Sequence, residues 1–161
     1  MLSRLRPIWP FITLLASGAL LAAAHAFERF GGLRPCPLCL DQREWHWAVV
    51  AASVLGIAWV RFVPARAWIA AFVIGLVYVG ATGMAGYHFA VEQHWIIAQC
   101  DVTPTGDLSF DLNAELVVPS CDTPAWTLFG ISMAGYNGLI SFALTLASFA
   151  VGFAPRSKAN G

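Results

Sequence analysis

AWIAAFVIGLVYVGATGMAGYHF, residues 67–89, contains no Asp, Glu, Lys or Arg. With a rise of about 1.5 Å per residue, a helix of that length crosses a hydrocarbon core of roughly 30 Å. The run is too long, and alternates too little, to be a strand of a membrane barrel. Three further apolar runs, 8–27, 45–62 and 130–153, reach similar length. Lipid satisfies no backbone hydrogen bonds, so each run must pair its own as a helix. The expected fold is therefore all-α, an integral membrane four-helix bundle.

Composition agrees. Hydrophobic residues make up 58% of the 161 and charged residues 11%, against about 45–50% and about 25% in soluble domains. The length suits one domain. Zero formal net charge excludes a nucleic-acid binder driven by bulk positive charge. The charges are segregated, however. Arg4, Arg6, Arg61, Arg66, Arg156 and Lys158 fall at one end of the expected bundle, and only Arg29, Arg34 and Arg43 at the other, with all nine acids. By the positive-inside rule the first group marks the cytoplasm. Both termini are then cytoplasmic, and both cysteine-bearing loops face the outer side of the membrane. A rival reading takes the N-terminal apolar run, followed by Ala24-His25-Ala26, as a cleavable signal peptide; three spans would remain, with the same loops outside.

Outer loop 28–44 holds Gly31-Gly32 and the cysteine motif. Outer loop 90–129 is long, acidic and without strong helical period, apart from an amphipathic piece near 112–118; long loops of this kind are usually functional. Gly75, Gly80, Gly83 and Gly86 in the third run suit close helix packing in lipid. The tail 155–161 is short and polar.

The four cysteines, Cys36, Cys39, Cys100 and Cys121, all fall on the outer side, where disulfides persist. Cys36-Pro37-Leu38-Cys39 is a C-x-x-C motif, a spacing that suits exchange because position and environment lower one thiol's pKa. Cys39 lies near the start of the second helix, whose N-terminal partial charge favours a thiolate. Arg43, one turn on, either pairs with that thiolate or a ligand oxygen, or simply snorkels at the interface. Cys100 and Cys121 lie in the long loop, where a disulfide is open to another protein and of the labile kind. Haem attachment is excluded because Leu40, not His, follows Cys39. A zinc knuckle fits poorly with the spacing of Cys100 and Cys121, so no metal is expected. Two static disulfides are the plain alternative. The chain carries no nucleotide-binding glycine fingerprint, so electrons leaving these thiols need a lipid-soluble acceptor. Arg43, Met84, His88 and Met133 are placed to line its site, although His88, like His25 and His46, could be an ordinary interfacial histidine.

The block Pro35-Cys36-Pro37-Leu38-Cys39-Leu40-Asp41-Gln42-Arg43, the later cysteine pair, and Cys121, Trp126, Gly130 and Met133 leading into the fourth run resemble the bacterial disulfide bond formation protein B family, DsbB, over nearly the whole chain. The resemblance implies an inner-membrane quinone reductase that reoxidises a periplasmic thioredoxin-fold dithiol oxidase, DsbA-like, drawing on the ubiquinone or menaquinone of the membrane pool. It implies that Cys36–Cys39 passes electrons to quinone, that Cys39 is the thiolate contacting the quinone ring, and that Arg43 stabilises that state. Cys100–Cys121 would be the disulfide attacked by the partner, through Cys100, and Cys121 would then exchange with Cys36 and free Cys39. His88, Met133 and Met84 fall where the family's quinone-proximal residues lie. At Gly86-Tyr87-His88 this chain departs from the family, which is more basic just before the His. A vitamin K epoxide reductase-like enzyme would show the opposite order of cysteine pairs. A non-enzymatic scaffold with two static disulfides is the other alternative.

Overall fold

The computed structural model of the chain describes residues 2–97 and 120–155. Four helices, α1 (Trp9–Gly31), α2 (Pro37–Phe62), α3 (Ala67–Glu92) and α4 (Met133–Phe153), are each long and apolar enough to cross a membrane. Short 3-10 turns, Leu2–Leu5 and Pro64–Arg66, precede α1 and α3. Strands β1 (Thr127–Leu128) and β2 (Ile131–Ser132) form an antiparallel ribbon that leads into α4.

The helices start and stop where backbone chemistry requires, which differs from where hydropathy alone places them. Helix α2 begins at Pro37, well before residue 45, so the loop expected over 28–44 shrinks to the few residues after Gly31. Pro37 presets a helical φ at the first position, and Cys36 is the N-cap, its Sγ accepting the Cys39 N–H at 3.3 Å. Asp41, Arg43 and Glu44 depress the hydropathy of this turn without preventing the helix. Helix α1 runs on to Gly31 and ends at Gly32, whose φ of 66° is a left-handed stop suited to glycine. Helix α4 starts at Met133, not at 130, because Phe129 and Gly130, with φ of 49° and 79°, form the tight turn of the ribbon. Ser132 caps α4 by accepting the Gly135 N–H at 3.0 Å. The amphipathic piece expected near 112–118 lies outside the described residues.

The interior is polar in small groups and the exterior is apolar, as lipid demands. Leu15, Leu55, Leu139, Phe142 and Phe153 are exposed, whereas Thr13, Ser17, Ser53, Ser141 and Ser148 are fully buried. The buried hydroxyls join helices: Thr13 to Ser53 at 2.9 Å, Trp9 Nε1 to Ser148 at 3.0 Å, and Thr82 to Thr145 at 3.1 Å. Such bonds and small residues replace the hydrophobic drive that lipid removes. At the end away from Cys36, the Arg6 guanidinium donates to the carbonyls of Val151, Gly152 and Ala154, a cation on the negative end of α4.

Helix α3 packs along α4 and α2, and α2 along α1, but α1 and α4 meet at few points. The glycines of α3 divide accordingly. A Cβ at Gly75 would lie 3.1 Å from both Ser148 Cβ and the Phe149 ring, whereas one at Gly83 or Gly86 would meet nothing within 4 Å. Gly75→Leu is therefore expected to force α3 from α4 and cost about 1–3 kcal/mol, lowering the thermal midpoint in detergent. Gly83→Leu should leave that midpoint unchanged or raise it.

Candidate functional site

The C-x-x-C motif occupies the cap and first turn of α2, so one cysteine ends the preceding segment and the other sits inside the helix. Both are free thiols in the structure, Cys36 buried and Cys39 partly exposed. Cys36 Sγ–H donates to Cys39 Sγ at 2.9 Å. This hydrogen bond, then burial, then the negative charge on Cys39 push the Cys36 thiol far above the ordinary thiol range. Cys36 therefore keeps the shared proton, and the charge of the pair rests on Cys39, where the helix N-terminus favours it.

Cys36 is 4% and Cys121 2% exposed, and the two pack in one cluster with Val91, Leu38 and Cys39. The structure thus brings the second pair's Cys121 against the first pair. Cys121 is disulfide-bonded; Cys100, its expected partner, lies outside the described residues. Asp122 holds the Cys121 turn by accepting from Ser120 and from Thr123, the latter at 3.0 Å, and these two hydroxyls keep its carboxyl below the usual range.

The gap between α1 and α4 opens, at the cysteine end, into a cavity of about 540 Å³. Leu20, Ala24 and Phe27 of α1 and Met133, Asn137 and Ile140 of α4 face each other across it, with Cys36, Cys39, Arg43 and His88 on its inner wall. Trp126 lies between Phe27 and Tyr136, at 5.7 and 6.4 Å between ring centroids, and forms an aromatic roof. A mostly apolar recess of this size with a few converging polar groups suits a flat, drug-sized ligand. Of the residues expected around an acceptor, Arg43, His88 and Met133 line this cavity and Met84 does not. Arg43 lies within an ion pair, its Nη1 2.6 Å from Glu28 Oε2 and its Nη2 3.4 Å from the Ala24 carbonyl.

His88 is the junction of the site. Its Nε2 stands 3.6 Å from Cys36 Sγ and 3.8 Å from Glu92 Oε1, and its Nδ1 2.6 Å from Gln42 Nε2. Gln42 Oε1 accepts from Asn137 Nδ2 at 2.6 Å, Asn137 Oδ1 meets His46 Nε2 at 2.7 Å, and His46 Nδ1 meets Ser17 Oγ at 3.2 Å. Asn137, Glu92 and Ser132, which binds Glu92, were not among the residues the sequence singled out, and Gln42 stood only within the C-x-x-C block, with no role of its own. The available signal was an amide or carboxylate within an apolar helix, which marks function in a membrane span.

Four membrane-crossing helices that present a C-x-x-C dithiol beside a second, disulfide-bonded cysteine define a membrane protein of dithiol–disulfide chemistry. The family model for disulfide bond formation protein DsbB matches residues 6–151. The chain belongs to that family, and is thus a disulfide-forming membrane oxidoreductase. It is 28% identical over 149 residues to disulfide bond formation protein B 2 of Pseudomonas syringae pv. syringae (strain B728a), covering 84% of this chain and 82% of the relative. It is 30% identical over 151 residues to disulfide bond formation protein B of Xylella fastidiosa (strain Temecula1), covering 83% and 82%. With the protein of that name from Herminiimonas arsenicoxydans it is 34% identical over 99 residues, covering 62% and 60%. No solved structure matches the chain.

Proposed function

We propose that the protein is a thiol:quinone oxidoreductase of the bacterial inner membrane that reoxidises a DsbA-like periplasmic oxidase. One observation carries the reading: the Cys36–Cys39 pair forms a wall of an apolar cavity that lies between α1 and α4, neighbours that meet at few points. Net, one partner dithiol and one quinone become one partner disulfide and one quinol, so two electrons and two protons balance. The partner's thiolate attacks Cys100 of the Cys100–Cys121 disulfide and releases Cys121 as a thiolate. Cys121, packed against Cys36, attacks the Cys36–Cys39 disulfide at Cys36 and releases Cys39. The partner's second thiol resolves its mixed disulfide and frees Cys100, which attacks Cys121 of the Cys36–Cys121 bond, restores Cys100–Cys121 and leaves Cys36 reduced. Cys39 then lies on the cavity wall with its charge favoured by the helix N-terminus. A quinone, ubiquinone or menaquinone, supplies the two-electron sink. Arg43, His88 and Met133 line its place; Met84, off the cavity, is left without a contact role there. The topology follows the basic residues, with both termini cytoplasmic and the cysteine end periplasmic.

The test is quinone absorbance in lipid or detergent with a reduced DsbA-like protein as donor. Steady bleaching that depends on both donor and protein is expected. A folded protein that bleaches neither ubiquinone nor menaquinone would overturn the proposal and favour static disulfides.

A further inference from the structure

The hydrogen bonds leading to His88 run in one direction. At the cysteine end, two groups able to accept stand around the His88 Nε2: Cys36 Sγ and the Glu92 carboxylate. Nε2 therefore carries a hydrogen. In a neutral imidazole, Nδ1 is then a bare acceptor, and the group 2.6 Å from it is the Gln42 amide nitrogen, a donor. The sense continues without conflict. Gln42 Oε1 accepts from Asn137 Nδ2, Asn137 Oδ1 accepts from His46 Nε2, and His46 Nδ1 accepts from Ser17, which Tyr78 reaches at 2.9 Å. Gln42 comes from α2, Asn137 from α4 and Ser17 from α1, and His88 from α3, so all four helices contribute to one polarised chain. Among the described residues no buried side-chain nitrogen or oxygen is left unpaired. Reversing one amide would set donor against donor and acceptor against acceptor, so the chain holds one sense as a unit.

We infer that Gln42, Asn137 and His46 are positioning residues that lock His88 as its Nε2–H tautomer, so that His88 donates toward Cys36 Sγ, against which Cys121 packs, and holds that sulfur in place for exchange. His88 then steadies the charge that spreads onto the Cys36 sulfur as that sulfur is attacked, and does not take its proton. The same hydrogen removes the lone pair that a zinc ion shared with the two thiols would need at Nε2. The inference rests on the exchange described under Proposed function, but its primary readout does not depend on activity.

The experiment is nitrogen NMR of the full chain labelled with 15N-histidine in lipid nanodiscs, with His88 assigned by loss of its signals in His88→Gln. The expected spectrum shows an unprotonated Nδ1 and a protonated Nε2. Gln42→Leu and Asn137→Leu should replace the fixed tautomer by an exchanging pair, with donor-driven quinone reduction falling about tenfold, the worth of one hydrogen bond to a charged group. Gln42→Glu, an acceptor only at Nδ1, should yield a doubly protonated ring. A bare Nε2 in the wild-type protein, or a tautomer unmoved in both leucine variants, would overturn the inference. Because the wild-type spectrum is decisive alone, a variant that fails to fold does not block the test. A locked Nε2–H tautomer in a protein that reduces no quinone would instead sink the functional proposal and leave the tautomer assignment standing.

Discussion

Cys39→Ser is expected to abolish quinone reduction while leaving the first half of the reaction intact. Cys36 keeps the proton of the pair because it donates to Cys39 and is more buried, so the sulfur proposed to reduce the acceptor is Cys39 on the cavity wall. Serine there fits the same space but carries no sulfur to oxidise. Stoichiometry without quinone gives the sharpest reading. Two disulfides should let the oxidised wild-type protein consume about two equivalents of partner dithiol, and Cys39→Ser about one, since each disulfide exchanged oxidises one dithiol. The loss of partner thiol can be followed by alkylation and mass measurement. Equal consumption by both proteins, or continued quinone bleaching by the variant, would mean that Cys36–Cys39 is not the pair next to the acceptor.

Much of the fold was legible because lipid leaves the chain few options. A run such as 67–89, with no charged side chain, must be a helix across the bilayer, and the short stretch between Phe62 and Ala67 forces α2 and α3 to be antiparallel neighbours. Helix boundaries were less legible because hydropathy and helix formation are separate properties. Asp41, Arg43 and Glu44 end an apolar count, yet Pro37 and the Cys36 cap had already begun the helix. Glu92 reads as loop by its charge, yet α3 carries it to a buried position beside Ser132.

The cysteines of the site could be read because C-x-x-C is local: its chemistry depends on a spacing within one turn. Gln42, Asn137 and His46 could not be assembled in the same way. They sit on two helices far apart in sequence, and their partnership depends on which faces meet. The cavity likewise arises from a contact that is sparse, α1 against α4, which no single segment encodes. His88 was visible only as one of several histidines near the same end; its bond to Gln42 sets it apart from His25, whose Nδ1 bonds its own helix at Leu21.

Arg43→Ala should cut donor-driven quinone reduction by at least about tenfold, the loss of a hydrogen bond to a charged group, mainly through KM for quinone, while the yield of mixed disulfide with the partner stays unchanged. Arg43 faces the cavity with its side chain largely covered, but its partner Glu28 is 43% exposed. An ion pair with one exposed member contributes less than about 1 kcal/mol to stability, so a lost salt bridge cannot by itself account for the expected fall. Glu28→Gln separates the two roles. If Arg43 serves only to tie α2 to α1, both variants should show the same small drop in thermal midpoint and the same activity. If Arg43 serves the acceptor, Glu28→Gln releases the guanidinium toward the cavity and retains or improves quinone affinity, while Arg43→Ala loses it. Arg43→Lys keeps the charge but not the planar fork, and should fall between them. Parallel loss in Arg43→Ala and Glu28→Gln would assign the pair to helix packing and leave Cys39 and His88 as the polar groups of the cavity wall that act on the acceptor.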